Sequence, residues 1–212
     1  MLLIESFPVG AFQCNCTILA CPETKEALVV DPGGDTERIL EVVRHYGLTV
    51  RAAVHTHAHL DHIAGTRDIK EATGCTIHLH PDDMFLYDGF AMQAAMFGWV
   101  VRDVLPVDEE LRHEGQLLFG KRTAQVLHTP GHTPGSVCFQ VADERAPLLL
   151  AGDTLFKRSI GRTDLWGGNF DLEIKSIKDK LLPLPDATRV IAGHGPDTTI
   201  LEERESNPFL TT

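Results

Sequence analysis

The sequence is poor in cysteine and in basic residues. Only five cysteines occur in 212 residues, an odd number, and no two of them form a C-x-x-C pair. This usage excludes a disulfide framework, so we expect small core cysteines and a cytoplasmic protein. Nineteen Lys and Arg stand against 30 Asp and Glu, which gives a formal net charge of -11. Because an acidic surface repels phosphate backbones and anionic lipids, neither nucleic acid nor a membrane is an expected partner.

Long apolar runs and targeting signals are also lacking. The apolar runs reach only about six residues, whereas roughly 20 are needed to span a bilayer. The first residues lack a basic segment, contain Glu5 and are broken by Pro8 and Gly10, which is unlike a signal peptide. No repeat, low-complexity segment or linker divides the chain. We therefore expect one domain over residues 1–212, large enough to bury a core without a structural metal.

Local patterns predict a mixed α/β protein. Short apolar runs bounded by Gly, Pro or Asp predict eight strands, over residues 16–20, 27–30, 51–55, 75–79, 124–127, 137–141, 148–151 and 189–192. Apolar periodicity with end signals predicts three helices: one capped by Asp35 and stopped by Gly47, one over 81–98, and one from Asn169 or Asp171 to Pro183. Gly89 is expected to interrupt the second helix.

Histidine and aspartate side chains follow four of the predicted strands. In chain order these candidate metal ligands are His57, His59, Asp61, His62, His132, Asp153 and His194. Loops held at strand ends by a rigid sheet converge in layered α/β folds. Seven nitrogen and oxygen donors exceed the needs of one ion, whereas two ions that share a bridging carboxylate would use them all. We therefore expect two divalent ions, zinc first, with iron and manganese also open because imidazole and carboxylate suit all three.

The other six histidines are not expected to bind metal. They are His45, His55, His78, His80, His113 and His128. His55 and His128 are expected to have structural roles or to support the ligands. His78 and His80 are two residues apart on one face of a strand, a spacing that suits ligands, but no carboxylate or third histidine accompanies them in a turn-bounded cluster. The remaining two are expected on the surface.

Three further motifs carry no separate chemistry. Residues 115–121 imitate a phosphate-binding loop, but Arg122 replaces the required Ser or Thr, so we interpret them as a turn between strands. Residues 135–136 do not complete a G-x-S-x-G nucleophile motif. Residues 31–35 predict a tight turn before a helix, and Asp31 is a candidate to support a ligand.

Four segments together resemble the metallo-β-lactamase superfamily and, within it, the short bacterial glyoxalase II (hydroxyacylglutathione hydrolase) type. They are THAHLDH at 56–62, TPGHTPG at 129–135, GDT at 152–154 and GHGP at 193–196, and the resemblance covers essentially the whole chain. It implies an α/β fold of the αββα sandwich kind. It also implies one metal on His57, His59 and His132, a second on Asp61, His62 and His194, and Asp153 as the bridge.

The sequence departs from glyoxalase II where glutathione binds. Full-length members have an added helical C-terminal domain that contributes basic residues to glutathione, and we expect no such separate domain here. In the loop after Asp153, the Lys and Tyr that contact glutathione in the family are replaced by residues 160–164. Lys157, Arg158 and Arg162 are then the expected substrate-binding residues. The competing interpretation is that Arg162 pairs with Asp164 to fix the loop.

The resemblance implies an enzyme that hydrolyses small thioesters such as S-lactoylglutathione, through a hydroxide that bridges the two metals. The expected catalytic residues are Asp153, which bridges, and Asp61, which also orients the hydroxide. Three alternatives stay open. The stretch 161–164 also resembles persulfide dioxygenases, which use a single iron, although residues 193–196 favour the hydrolase. The others are another hydrolase of this fold, such as a lactonase or phosphodiesterase, and a non-catalytic binding protein.

Overall fold

The computed structural model describes residues 1–211 as two compact units. The unit that we call the N-terminal unit comprises Leu2–Leu111 and Phe119–Arg122. The C-terminal unit comprises Met1, Arg112–Leu118 and the residues from Thr123 onward.

The N-terminal unit contains one six-stranded sheet whose strands lie side by side in chain order. They are β1 (Leu3–Val9), β2 (Cys14–Ala20), β3 (Glu26–Val30), β4 (Thr49–Val54), β5 (Thr76–Leu79) and β6 (Glu109–Glu110). The first three strands pair antiparallel, and the pairs from β3 to β6 are parallel. The helices are α1 (Thr36–Tyr46), α2 (Leu60–Ile63), α3 (Thr66–Thr73), α4 (Met84–Asp88) and α5 (Phe90–Ala95), with a 3₁₀ turn at Pro81–Asp83.

Helix α1 covers the sheet with the apolar face that its sequence predicts. Ile39 and Val43 are buried in a cluster with side chains of β2 and β3. Burial of each such side chain contributes about 1.5–3 kcal/mol. The helix ends at Gly47, whose φ of 61° is readily adopted by glycine. Asp35 precedes the helix but does not cap it with its side chain; its Oδ2 instead accepts a 2.9 Å hydrogen bond from the Gly10 N–H.

A second six-stranded sheet lies in the C-terminal unit, apart from residues 119–122. Its strands are β7 (Gln116–Phe119), β8 (Arg122–His128), β9 (Val137–Val141), β10 (Leu148–Gly152), β13 (Arg189–Ala192) and β14 (Thr198–Thr199), and they lie side by side in the order β14-β13-β10-β9-β8-β7. Between β10 and β13 in the chain, β11 (Leu155–Phe156) and β12 (Ser159–Ile160) form a separate short hairpin. Helix α6 (Phe170–Ser176) continues into a π-helical turn, Ile177–Leu181, and α7 (Ile200–Ser206) follows β14. Asn169 caps α6 by accepting from the Leu172 N–H at 3.1 Å.

Most of the predicted secondary structure is present, with three corrections. All eight predicted strands occur, with ends within two residues of those expected. The predicted helix over 81–98 is broken at Gly89, as expected, but ends at Ala95. The interpretation of 115–121 as a turn is wrong for Gln116–Phe119, which forms β7. The expected side-chain cap by Asp35 is absent.

The five cysteines are buried with free thiols, as expected of core residues. Among residues 1–211, no helix combines the length and apolar character required to cross a bilayer.

Candidate metal centre

Four of the predicted ligands lie on one loop of the N-terminal unit. We call His57, His59, Asp61 and His62 the N-terminal ligand group. The loop starts where β4 ends and runs into α2, and it buries the three imidazoles while Asp61 stays partly exposed. The His57 ring centroid lies 4.8 Å from that of His59 and 4.0 Å from that of His62. The structure therefore brings these side chains together, and Asp61 Oδ2 is 3.7 Å from His62 Nε2.

The carboxylate of Asp31 orients two of these imidazoles. Asp31 and Thr56 follow the neighbouring parallel strands β3 and β4, so they meet at one edge of the sheet. Asp31 Oδ2 lies 3.0 Å from His62 Nδ1 and accepts from the Thr56 hydroxyl at 2.7 Å. Because a carboxylate only accepts, His62 donates from Nδ1, which leaves its Nε2 as the metal-binding nitrogen. The Thr56 oxygen likewise accepts from His57 Nδ1 at 3.1 Å.

Two buried polar side chains that the sequence analysis missed fix the backbone of the same loop. Asp83 Oδ2 accepts from the Ala58 N–H at 2.9 Å. Gln93 accepts from the Leu60 N–H and donates to the Ala58 carbonyl, each at 2.9 Å. The sequence contains one indication that Gln93 is buried: it follows Phe90 by three residues and therefore lies on the same, buried side of α5. These contacts tie the backbone of residues 58 and 60 to buried side chains of the same unit.

The other three predicted ligands lie in the C-terminal unit. We call His132, Asp153 and His194 the C-terminal ligand group. Asp153 and His194 follow the adjacent parallel strands β10 and β13, whose ends are joined by a 2.7 Å hydrogen bond from the Gly193 N–H to the Gly152 carbonyl. His132 is carried by the loop after β8. Asp153 Oδ2 is 3.7 Å from Nε2 of His132 and 3.7 Å from Nε2 of His194.

These separations fit metal ligation. Two donor atoms that share a tetrahedral ion, each about 2.1 Å from it, lie roughly 3.4 Å apart. One oxygen of Asp153 lies at this separation from two imidazole nitrogens, those of His132 and His194. The donor set of imidazole and carboxylate suits zinc, iron and manganese. The residues of each group therefore fit a divalent metal.

His132 is oriented by backbone and by a buried acid. Its Nδ1 lies 2.7 Å from the carbonyl oxygen of Arg162, which can only accept, so Nε2 faces Asp153. Its backbone N–H donates to Glu173 Oε2 at 2.8 Å. Burial raises the pKa of the Glu173 carboxyl to about 8, and the Asp153 charge acts in the same direction. Sequence analysis missed Glu173, although its spacing of four from Ile177 places it on the buried side of its helix.

The predicted substrate-binding residues lie close to Asp153 in sequence. Lys157 and Arg158 form the exposed turn between β11 and β12, and the Arg158 N–H donates to Glu203 Oε2 at 2.8 Å. The Arg162 guanidinium donates twice to Asp164, at 2.7 and 2.8 Å. This pair holds the pKa of Asp164 near 2. The structure thus contains the pairing of the competing interpretation, and the substrate contact of Arg162 stays a prediction.

The six remaining histidines were not expected to bind metal, but one ground for this is wrong: a carboxylate does lie beside His80, whose Nδ1 is 3.7 Å from Asp82 Oδ2. His45 and His113 are exposed. His55 is fully buried, lies 3.2 Å from the Thr66 hydroxyl, and has its pKa lowered to about 4 by burial. The other three have these hydrogen bonds: His78 Nε2 with the Thr76 hydroxyl at 2.7 Å, His80 Nδ1 with the Asp82 N–H at 3.3 Å, and His128 Nε2 with the Pro134 carbonyl at 2.8 Å.

Known sequences resemble this chain over nearly its whole length. The sequence model of the Metallo-beta-lactamase superfamily matches residues 9–194. The hydroxyacylglutathione hydrolase GloC of Haemophilus influenzae is 39% identical over 99% of this chain and 98% of its own. The probable metallo-hydrolase YqgX of Bacillus subtilis is 39% identical over 96% of this chain and 95% of its own.

Solved structures also resemble this chain over nearly its whole length. The BLEG-1 B3 metallo-beta-lactamase has a TM-score of 0.91 at 39% identity and covers 99% of this chain and 100% of its own. TTHA1623 in a di-iron-bound form has a TM-score of 0.85 at 37% identity, over 97% of this chain and 100% of its own. ETHE1 from Myxococcus xanthus has a TM-score of 0.80 at 27% identity and covers 97% of this chain and 83% of its own.

Proposed function

Since this chain belongs to the metallo-β-lactamase superfamily, we propose that it hydrolyses small thioesters with the help of two divalent metal ions. The expected fold, mixed α/β with two sheets, is confirmed. The coarser assignment, a metal-dependent hydrolase with a histidine and aspartate metal site, is supported by its relatives. S-Lactoylglutathione is the proposed test substrate, because GloC is named a hydroxyacylglutathione hydrolase.

The position of Asp153 carries the proposal. Its Oδ2 lies 3.7 Å from nitrogens of both His132 and His194, which the resemblance assigns to different ions, so one carboxylate is close enough to ligands of both. We propose the division of ligands that the resemblance implies: His57, His59 and His132 for one ion, Asp61, His62 and His194 for the other, and Asp153 for both. Zinc is the first expected metal, and the di-iron form of TTHA1623 keeps iron in consideration.

In the proposed reaction, water adds to the thioester carbonyl carbon, the C–S bond breaks, and a carboxylate and a thiol are formed. When bound, the ions would lower the pKa of a water molecule to about 7 and polarise the carbonyl oxygen. Asp31 and the Arg162 carbonyl hold their imidazoles in one orientation, so little reorganisation is needed during the reaction. Asp61 is proposed to accept a hydrogen bond from the attacking water. Because a thiolate leaves readily, no general acid is required.

The exposed turn after Asp153 is proposed to attract the acidic part of the substrate. Arg162 forms an ion pair with Asp164. Among residues 1–211, no such pair is seen for the exposed side chains of Lys157 and Arg158, so their positive charges face solvent. In a protein with a net charge of -11, attraction of an anion at exposed side chains should be weak and sensitive to salt. We therefore propose a high KM for glutathione thioesters and turnover of other acylthioesters.

A second candidate is a persulfide dioxygenase. It is favoured by the resemblance of residues 161–164 to persulfide dioxygenases, and the di-iron form of TTHA1623 shows that a similar structure can hold iron. The two candidates differ in co-substrate, because the dioxygenase consumes O₂ and the hydrolase consumes water.

The deciding experiment assays the metal-loaded protein in two ways. Thiol release is measured with S-lactoylglutathione and other acylthioesters, beside lactones and phosphodiesters, and O₂ uptake is measured with glutathione persulfide. We expect thiol release without O₂ uptake, and loss of thiol release in Asp153→Ala. Stoichiometric O₂ uptake without thioester turnover would establish the dioxygenase instead. Turnover confined to lactones or phosphodiesters would contradict the thioester proposal and keep the hydrolase class.

A further inference from the structure

Glu173 is a fully buried acid on α6 that the proposed mechanism does not use. It is continuous with an apolar helix face, since Ile177 and Leu181 follow at intervals of four and are buried in the core. A carboxyl group in such a position is costly unless its oxygens are hydrogen-bonded. The groups that it contacts therefore define its role.

The loop that carries His132 is fastened to α6 at three successive residues. The Ser176 hydroxyl donates to the Pro130 carbonyl at 2.7 Å, and the Asn169 N–H donates to the Gly131 carbonyl at 2.8 Å. The His132 N–H donates to Glu173 Oε2 at 2.8 Å. The packing is so close that a Cβ at Gly131 would lie 2.3 Å from the Glu173 Cα. The backbone of His132 consequently cannot move independently of Glu173.

The same carboxyl group faces the chain beyond Asp153. A Cβ at Gly161 would lie 2.0 Å from the Asp153 carbonyl oxygen, 2.9 Å from Glu173 Oε1 and 3.1 Å from His132 Cβ. Arg162, the next residue, supplies the carbonyl that orients the His132 ring. Glu173, His132 and the Asp153 backbone thus meet around Gly161, where a side chain would not fit.

We propose that Glu173 is a positioning residue that sets the separation of His132 and Asp153. This inference rests on the proposed function, in which both residues bind metal. Without the Glu173 acceptor, the His132 N–H would lose its partner in a buried place, and the loop would shift to satisfy it. The 3.7 Å spacing of His132 Nε2 and Asp153 Oδ2 would then no longer be held for a metal.

The test measures metal affinity rather than turnover. Glu173→Met keeps side-chain length but removes the acceptor, whereas Glu173→Gln keeps an oxygen for the His132 N–H. The Kd for Zn²⁺ is measured by chelator competition, and the ligand geometry by the visible spectrum of the Co²⁺ protein. Loss of a group that orients a metal ligand costs about 10–100-fold in affinity, which we expect for Glu173→Met with a changed Co²⁺ spectrum. Glu173→Gln should stay within about fivefold of the unsubstituted protein.

Glu203→Met is the matched control. Glu203 is equally buried in the same unit, but it contacts Thr198, Asn207 and the Arg158 backbone, none of them a proposed ligand. This variant should lower the melting temperature and leave the Zn²⁺ affinity unchanged. Equal losses of affinity in Glu203→Met and Glu173→Met would show a general packing defect and overturn the proposal. If Glu173→Met does not fold, Gly161→Ala tests the same junction from the other side and should also weaken Zn²⁺ binding; unchanged affinity there overturns the proposal.

His132→Ala separates this inference from the function beneath it. Normal Zn²⁺ affinity in His132→Ala would show that the proposed ligand set is wrong. A large loss in His132→Ala with normal affinity in Glu173→Met would leave the ligand set intact and overturn the positioning role. A Glu173→Gln protein as weak as Glu173→Met would show that an oxygen offered to the His132 N–H is not enough, and would contradict positioning through the hydrogen bond.

Discussion

The two ligand groups are built in opposite ways. The N-terminal group places four ligands within the six residues 57–62, on one loop, whereas the C-terminal group collects three from loops that are far apart in sequence. They also differ in how an imidazole is oriented. A side chain, Asp31, contacts His62, but a backbone carbonyl, that of Arg162, contacts His132. An orientation set by a side chain can be removed by substitution, and one set by the backbone cannot.

The largest effect should come from removing a ligand of either group. The unsubstituted protein, purified without chelator, should contain about two metal equivalents. His57→Ala and His132→Ala should each lose turnover by several orders of magnitude, and Asp153→Ala should lose metal as well. Elemental analysis and initial rates measure both. If the unsubstituted protein saturates at one metal equivalent with zinc, iron or manganese supplied, the binuclear site is contradicted. If turnover is lost only on substitution in one ligand group, the two groups have different roles.

An intermediate effect on Zn²⁺ affinity is expected at Asp31 and a smaller one at Arg162, because Asp31 contacts its imidazole through the side chain and Arg162 through the backbone. Asp31→Asn should weaken Zn²⁺ binding by about 10–100-fold, because the amide nitrogen cannot accept from the Thr56 N–H as Oδ1 does, and a neutral amide oxygen is a weaker acceptor for His62 Nδ1 than a carboxylate. Asn also tolerates the positive φ of 50° at this position. Arg162→Ala should leave Zn²⁺ affinity nearly unchanged, since its carbonyl remains. Equal losses in the two variants, measured by chelator competition, would break the comparison.

A smaller effect is expected on substrate binding. If Arg162 contacts substrate, Arg162→Ala should raise the KM for glutathione thioesters several-fold and reduce its dependence on salt, with kcat less affected. Asp164→Asn, which releases the guanidinium, should lower KM. Steady-state kinetics at two ionic strengths measure both variants. Unchanged KM and salt dependence in Arg162→Ala would leave only the pairing with Asp164.

The smallest effect should occur at histidines outside both groups. His78→Ala and His80→Ala should keep metal content and turnover close to those of the unsubstituted protein, because their hydrogen bonds are to Thr76 and Asp82. The loss of the His80 bond to the Asp82 N–H should cost about 1 kcal/mol of stability. Metal analysis and thermal unfolding measure these outcomes. A drop in bound metal in either variant would contradict the proposed ligand set, because it would show that a histidine outside both groups binds metal.

The sequence predicts the parts that depend on local pattern. Strand ends marked by Gly, Pro or Asp and the compact motif at 57–62 could be found without a structure. β1 was missed because Pro8 reads as a break, although a strand at the edge of a sheet tolerates proline. Helix α3 was missed because only one apolar residue, Ile69, is buried in its polar sequence.

The supporting contacts were beyond local pattern for a different reason. Asp83, Gln93 and Glu173 act on backbone groups of loops 25 to 41 residues away. Their role is decided by which strands lie side by side, and a single sequence does not record that. The candidate ligands could therefore be named from the sequence, while the residues that contact them were found only in the fold.

The carbonyl of Arg162 has a consequence for how such an enzyme can diversify. Any residue at position 162 provides the same oxygen to His132, so the side chain there can change without disturbing the imidazole. Selection can thus test new charges or apolar groups at position 162 while the contact to His132 is kept. Position 31 offers no such freedom, because its side chain is itself the contact. In a laboratory library selected on new thioesters, accepted changes should accumulate at 162 and be absent from 31.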